Sequence, residues 1–327
     1  DDFEGEVMKR FKLTWDKGVI LLLVLTSFVG PFTSPYFATS SNISFVLQDI
    51  GEILIVALPM TFLIIAGEID LSVASIMNLT SASIGFAYFR GVPFGLSVLI
   101  GLLVGALCGL VNGILVTKFG LQSLAVTIGT LALFRGLCYV LLGNQPVDFL
   151  SAPITHLGYD NIPHTFLPYT TIVLVLLGAA AWVTLHYTRI GRWTFSLGIN
   201  AEAAVFSGIP VQRMKLILFT MTGLLSGVAG VVYSFRFASA TPGGASGYEL
   251  AVIASVLFGG VAIAGGVGTM WGVLASVLVL GVIRSVLQLS NVSSNALLIV
   301  SGSLLLISVV LPRAIEISRS RRKIATS

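Results

Sequence analysis

The chain has 327 residues, of which 56% are hydrophobic and 10% are charged, and its formal net charge is +4. Soluble domains usually carry about 25% charged residues, so the composition excludes an ordinary soluble protein and indicates one whose main solvent is lipid. In such a chain the basic excess reflects membrane topology and does not indicate nucleic-acid binding.

Ten apolar segments follow a polar N-terminal segment at residues 1–17. Their lengths and the lack of strand-like alternation predict membrane-spanning helices in an all-α polytopic membrane protein. The predicted spans are residues 18–32, 45–65, 73–88, 94–116, 121–142, 169–185, 216–233, 250–264, 268–287 and 296–311. The eighth segment is short, so a re-entrant segment is an alternative there. Together the spans form a transmembrane domain at residues 18–311, and a basic tail follows at residues 312–327.

The positions of lysine and arginine predict the orientation of the spans. Most of the 18 basic residues lie in the N-terminal segment, the tail and two of the loops. We therefore expect both termini to be cytoplasmic, with the loops at 143–168 and 236–248 facing outward. Because a charged stretch precedes the first span, we expect that span to be retained and not cleaved as a signal peptide.

Glycine spacing predicts close helix packing. Within the fourth span, glycines recur every four residues at Gly101, Gly105, Gly109 and Gly113. This small-residue spacing lets helix backbones approach each other in a membrane. Cys108 lies in the same apolar run, and we expect it to be a small buried residue and not half of a disulfide.

No catalytic motif is visible in the sequence. It contains no Gly-rich P-loop with its Lys and Ser or Thr, so we expect the chain to bind no cofactor and not to hydrolyse nucleotides. His156, His164 and His186 lie in loops or at a span end, without the spacing of metal ligands. The protein is therefore predicted not to be an enzyme.

Several charged residues lie in or beside the spans, where an unpaired charge is costly. They are Asp49, Glu52, Glu68, Asp70, Arg135, Glu249 and Arg284. Ion pairing and helix capping account for such residues as well as a functional site does, and both alternatives stay open. The spans contain no repeated ionisable relay of the kind that a proton- or sodium-coupled carrier needs, which indicates that energy comes from a partner.

Polar residues on the spans are candidates for the path of a solute, because amides and hydroxyls bond solute hydroxyls. Hydrogen bonding between helices is the alternative for each of them. The predicted path residues are Asn78, Asn112, Phe235 and Glu249.

A polar, small-residue loop at residues 187–213 interrupts the apolar pattern between two basic clusters. Within it we predict a short helix that Asn200 caps and that ends at residues 208–210. Ala201, Ala203, Ala204 and Val205 are predicted to form one apolar patch on this helix. A solvated loop is the alternative, but a capped helix with a patch favours docking to a cytoplasmic partner.

Three stretches, in this order, resemble the permease subunits of bacterial ATP-driven sugar importers. They are AGEIDLSVASIMNLTSA at 66–82, GINAEAAVFSGIPVQRMK at 198–215 and GYELAVIASVLFGGVAIAGGVGTMWG at 247–272. The resemblance covers roughly residues 45–311. The chain departs from the family pattern at Glu68 and Ala74, where glycine is usual, and at Ala251, where an acid is frequent.

The resemblance implies a bacterial inner-membrane importer assembled from several subunits. Its expected partners are ATP-binding-cassette ATPase subunits, a second permease protomer and a periplasmic substrate-binding protein, with ATP and Mg²⁺ bound by the ATPase. The loop at 187–213 would supply the coupling helix. The predicted coupling residues are Asn200, Ala201, Glu202, Ala203, Ala204, Val205, Ser207 and Gly208.

The predicted function is therefore translocation of a small sugar or sugar-like solute. Two alternatives remain at this stage: a branched-chain amino-acid permease of the same architecture, and a self-contained carrier or facilitator. The second permease protomer is either an identical chain or a related one.

Overall fold

The structure, a computed structural model, describes residues 2–149 and 155–292, together with Ile299, Gly302, Ser303, Leu306 and Val310. Most of the predicted tenth span lies outside the described residues, and the tail at 312–327 lies wholly outside them. Every predicted apolar segment before residue 292 contains an α-helix, which confirms the helical class.

The described part of the chain is a bundle of α-helices. The helices are α1 (Asp2–Thr33), α2 (Ser40–Asp49), α3 (Gly51–Ile65), α4 (Val73–Phe89), α5 (Phe94–Thr117), α6 (Ser123–Leu142), α7 (Thr170–Tyr187), α8 (Arg189–Ile199), α9 (Ala201–Phe206), α10 (Val211–Phe237), α11 (Tyr248–Phe258) and α12 (Met270–Leu289). A single 3₁₀ turn lies at Thr155–Gly158. Two short strands, β1 (Val147–Asp148) and β2 (Ser239–Ala240), pair antiparallel with Val147 opposite Ala240.

Seven helical stretches in the described part are long and apolar enough to cross a membrane. They are Trp15–Thr33, Ser40–Ile65, Phe94–Thr117, Ser123–Leu142, Thr170–Tyr187, Val211–Phe237 and Met270–Leu289. Helices α4 and α11 are apolar but shorter. The predicted eighth span is shorter than expected because its helix stops at Phe258, before two glycines, of which Gly260 has a φ of +88°.

Helix α3 lies at the centre of the bundle. All of its residues are buried, and α7, α10, α11 and α12 pack around it. Helix α4 is buried along most of its length between α5, α6 and α10. By contrast, α5 and α6 expose many large apolar side chains, as expected for helices that face lipid or another protein.

The two ends of the bundle differ in structure. At one end, which we call the α9 end, Gly266 N donates to Ile65 O at 2.8 Å and α8 packs against both residues. Trp15 Nε1 donates to Phe258 O at 2.9 Å at this end, and Asp16 Oδ2 accepts from Thr269 Oγ1. The opposite end carries the paired strands β1 and β2.

The predicted glycine packing is confirmed between α5 and α10. Gly105 and Gly109 of α5 lie against Gly223 and Gly227 of α10 with no side chain between the two backbones. A Cβ on Gly109 would fall 2.8 Å from the Cα of Gly223 and closer still to the carbonyl oxygen of Phe219. The two helices reach this distance only because these positions lack a side chain.

We expect Gly109→Ala to destabilise the fold by about 1–3 kcal/mol, since overpacking a tight contact forces the backbones apart. The free energy of unfolding in detergent measures the effect. Gly95→Ala is the matched control, because Gly95 lies in the same helix with no atom within 4 Å of its added Cβ. Equal stability of the two variants would contradict the packing argument.

Candidate functional site

The polar loop between α7 and α10 forms two helices at the α9 end. Asn200 ends α8 and caps α9, with its Oδ1 accepting from Ala203 N at 2.9 Å. After Ser207 the chain turns at Gly208, whose φ of +77° suits glycine. The predicted short helix, its Asn200 cap and its glycine end are therefore present.

The apolar face of α9 differs from the predicted patch. Ala204 is 3% exposed and belongs to the core of the bundle, whereas Val205 is 57% exposed. The four residues predicted to share one patch therefore point in different directions, and that prediction is wrong. The exposed apolar surface, here called the α9 patch, consists instead of Ile199, Val205 and Phe206, with Phe206 91% exposed.

The sequence did not reveal the exposure of Phe206, because the run of alanines indicated an apolar patch of small residues on one face of the helix. In a helix as short as α9, the direction of each side chain depends on how the helix lies on the bundle. The available signal was a bulky phenylalanine directly before the terminating Ser207 and Gly208. A large aromatic residue at an exposed helix end is the kind of residue that anchors a protein interface.

Backbone contacts hold α8 and α9 against the bundle. Gly198, two residues before the cap residue Asn200, lies directly on Ile65 O and on Gly266, leaving no room for a Cβ. Gly265 and Gly266 have φ values of +85° and +71°. These contacts connect the junction of α8 and α9 to the end of α3 and to the segment between α11 and α12.

An ion pair joins the start of α10 to the break between α3 and α4. Lys215 Nζ bonds Glu68 Oε1, and the two side chains are 21% and 10% exposed. They lie in a cleft of about 490 Å³ that also includes Gln122, Ser123 and Gln212. Glu68, a departure from the family pattern, thus connects this break to α10, the helix that follows α9.

A buried polar cluster lies next to that cleft. Asp70 Oδ1 accepts from Ser72 N and Ser72 Oγ, at 2.8 and 2.6 Å. Asn112 Nδ2 donates to Ser72 Oγ at 2.8 Å. Burial raises the pKa of the Asp70 carboxyl, and the hydrogen bonds from Ser72 and Asn112 oppose that shift. Asn112 thus links α5 to the break between α3 and α4. Such hydrogen bonding between helices is the alternative to a role for this residue in the solute path.

A second polar cluster lies toward the opposite end, where α2 meets α3. Arg236 bonds Asp49 Oδ1 through Nη2 and Glu52 Oε2 through Nη1, both at 3.1 Å, and Arg284 Nη1 lies 3.6 Å from Asp49 Oδ2. The Glu52 side chain is completely buried. The ion-pairing alternative is therefore correct for Asp49, Glu52 and Arg284.

The structure separates the four predicted path residues. Asn78 and Glu249 both contact the segment before α11: Asn78 Nδ2 donates to Pro242 O at 2.7 Å, and Glu249 Oε2 accepts from Gly247 N at 3.0 Å. Asn112 lies in the polar cluster with Asp70. Phe235 packs against Phe94, with ring centroids 5.6 Å apart, in an aromatic cluster.

Glu249 has a further partner, since Arg135 Nη2 lies 3.3 Å from its Oε1. Their side chains are 36% exposed for Arg135 and 13% for Glu249. Within the part of the chain that the structure describes, no three His, Cys, Asp or Glu residues come together as metal ligands.

Comparisons with known proteins agree with this architecture. Residues 42–309 match the family model described as branched-chain amino acid transport system / permease component. The ribose import permease protein RbsC of Bacillus subtilis (strain 168) is 36% identical over 299 residues, which is 90% of this chain and 91% of that protein. The autoinducer 2 import system permease protein LsrD of Escherichia coli (strain K12) is 32% identical over 318 residues, 96% of each chain. No solved structure matches the chain.

Proposed function

The chain belongs to the branched-chain amino acid transport system / permease component family, and we propose that it moves a small sugar or sugar-like solute across the bacterial inner membrane. Members of the family are transport subunits of ATP-binding-cassette importers, and ATP is hydrolysed by a separate subunit. The relatives named for ribose and for autoinducer 2 import support the sugar-like solute over a branched-chain amino acid.

The topology that fits this function has ten spans with both termini in the cytoplasm. The α9 end then faces the cytoplasm, and the end with β1 and β2 faces outward. The placement of the basic residues supports this orientation, since Lys118, Arg189, Arg192 and Arg213 all lie at the α9 end.

The α9 patch is the observation that carries the coupling part of the proposal. Phe206 and Val205 project from a capped helix that glycine contacts hold against α3. An ATPase subunit with a groove for this helix would displace α9 as it binds and hydrolyses ATP with Mg²⁺. The displacement would pass through Gly198 to Ile65 and to Gly266.

The other expected partners are a second permease protomer and a periplasmic binding protein that delivers the solute. The assignment of Asn78, Asn112, Phe235 and Glu249 to the solute path remains a prediction. Asn78 and Glu249 have the better support, because both contact the segment that precedes α11.

Reconstitution into proteoliposomes tests the proposed function. With the cognate ATPase, binding protein and ATP, we expect uptake of labelled D-ribose or of a related sugar, and none with the permease alone. L-leucine is the control solute. Leucine uptake in place of sugar uptake would favour the branched-chain amino-acid alternative, and flux without the ATPase would indicate a self-contained carrier.

A further inference from the structure

The segment at 238–247 returns into the bundle after α10 ends. Strand β2 lies beside the outer part of α4, where Ala240 packs against Gly85. Two residues later, Pro242 O accepts from Asn78. At 1.5 Å per residue, Asn78 lies about 16 Å along α4 from its end at Phe89, so this irregular backbone reaches well below the helix ends.

Helix α11 starts at this depth. It has 11 residues, or about 16 Å, whereas the hydrocarbon core of a bilayer is about 30 Å thick. Because Phe258, the last residue of α11, contacts Trp15 at the α9 end, the eighth segment crosses the bundle as an irregular outer half followed by a short helix, and the re-entrant alternative is wrong. Non-helical backbone occurs at membrane depth only where protein covers it or where it lines a water-filled cavity, and in transporters such broken helices form solute sites.

The exposure of the ion pair between Arg135 and Glu249 indicates whether protein covers this non-helical backbone or whether the backbone lines a water-filled cavity. Arg135 lies on α6, about 10 Å from its end at Leu142, and over a third of its side chain is exposed. A charge exposed to hydrocarbon at that depth is strongly unfavourable. The buried cluster differs, since the Arg236 side chain is only 9% exposed and Glu52 is fully covered.

Two further polar groups contact the segment at 238–247. Asn78 is 4% exposed, and its Oδ1 has no hydrogen-bond partner among the described residues. The hydroxyl of Tyr139, one turn from Arg135, lies next to Gly243 of the segment at 238–247. The surface thus offers guanidinium donors, carboxylate acceptors and a phenol, which are the groups that bond hydroxyls.

We propose that the face of α6 carrying Arg135, together with Glu249 and the segment at 238–247, lines the solute path and binds an uncharged, hydroxyl-rich solute. The opposite charges of Arg135 and Glu249 cancel, so the surface favours neither an anion nor a cation. This inference rests on the proposed function and adds which face of the permease the solute contacts.

Cysteine labelling tests the path without measuring transport. Ile128 and Ala132 are exposed and lie about 20° and 60° around α6 from Arg135. Exposed Leu133 lies about 160° away and, as the neighbour of Ala132, at nearly the same depth as that residue. In the complete importer we expect Ile128→Cys and Ala132→Cys to react with a membrane-impermeant thiol reagent at least about tenfold faster than Leu133→Cys, because the reactive thiolate forms only in water. The unsubstituted chain sets the background, since Cys108 and Cys138 are buried.

Equal, slow labelling of all three variants would overturn the inference. Crosslinking of two protomers through Ile128→Cys or Ala132→Cys without reagent labelling would also overturn it, because the face would then be a protein contact. If sugar uptake driven by ATP is normal while these cysteines stay silent, the path lies elsewhere and the proposed function stands.

A second variant separates solute contact from a structural role. We expect Arg135→Gln to reduce D-ribose uptake at least about tenfold while ATP hydrolysis continues, so that more ATP is consumed per solute. Arg135→Lys, which keeps the charge and a donor, is expected to restore much of the uptake. Parallel loss of uptake and ATP hydrolysis would assign the pair to the fold and contradict the inference.

Discussion

Phe206→Glu is expected to abolish ATP-driven uptake while the permease remains folded in the membrane. Phe206 is 91% exposed, so its replacement removes no packing inside the chain. In a docked complex, however, a glutamate would bury an unpaired charge at the centre of the contact with the ATPase. We expect uptake to fall at least about tenfold, because the contact with the ATPase is lost.

Two control variants show whether the loss of uptake is specific to an apolar contact at Phe206. Phe206→Leu keeps an apolar side chain and is expected to retain most of the uptake. Phe119→Glu makes the same change at a residue that is 69% exposed in the turn between α5 and α6, at the same end of the bundle. Co-purification of the ATPase with each variant measures docking directly. Normal co-purification and uptake with Phe206→Glu would contradict docking at α9.

The structure also shows why Ala204→Glu is a poor test of docking, although the sequence suggested Ala204 as part of the patch. Ala204 is 3% exposed, so a glutamate there would be buried within the permease itself. Loss of uptake would then report misfolding as readily as lost docking.

The sequence predicts local features of this protein better than it predicts side-chain directions. The cap at Asn200, the glycine contact between α5 and α10 and the break at 66–72 depend on neighbouring residues or on simple helical spacing. The direction of Ala204 and the exposure of Phe206 depend on how α9 rests on α3 and on Gly266, which no local pattern reveals.

The ion pairs are likewise predictable only in part, since the sequence indicates that a charge has a partner but not which residue the partner is. The cost of an isolated charge predicts that Glu52, Arg135 and Arg284 have partners, and the structure supplies them. It also shows that Arg236, which the hydropathy pattern places in an outer loop, belongs to the last turn of α10. The identity of each partner follows from long-range packing, since Arg236 and Glu52 are 184 residues apart.

The second large effect is expected at the buried cluster of Asp49, Glu52, Arg236 and Arg284. Arg236→Met removes the guanidinium that bonds both carboxylates and leaves Glu52, which is 0% exposed, without its partner. Breaking a buried ion pair in this way usually costs about 3–5 kcal/mol. We therefore expect a loss of that size in the free energy of unfolding in detergent.

The double variant Arg236→Met with Glu52→Gln separates the lost attraction from the cost of an uncompensated charge. If the buried carboxylate causes most of the loss, neutralising it restores more than half of the stability, because a neutral amide is far less costly to bury. Arg192→Met, at an exposed site on α8, is the control and should change stability by no more than about 0.5 kcal/mol. Additive losses in the double variant would contradict this account. Recovery would mean that the uncompensated buried carboxylate, and not the lost attraction, causes most of the destabilisation.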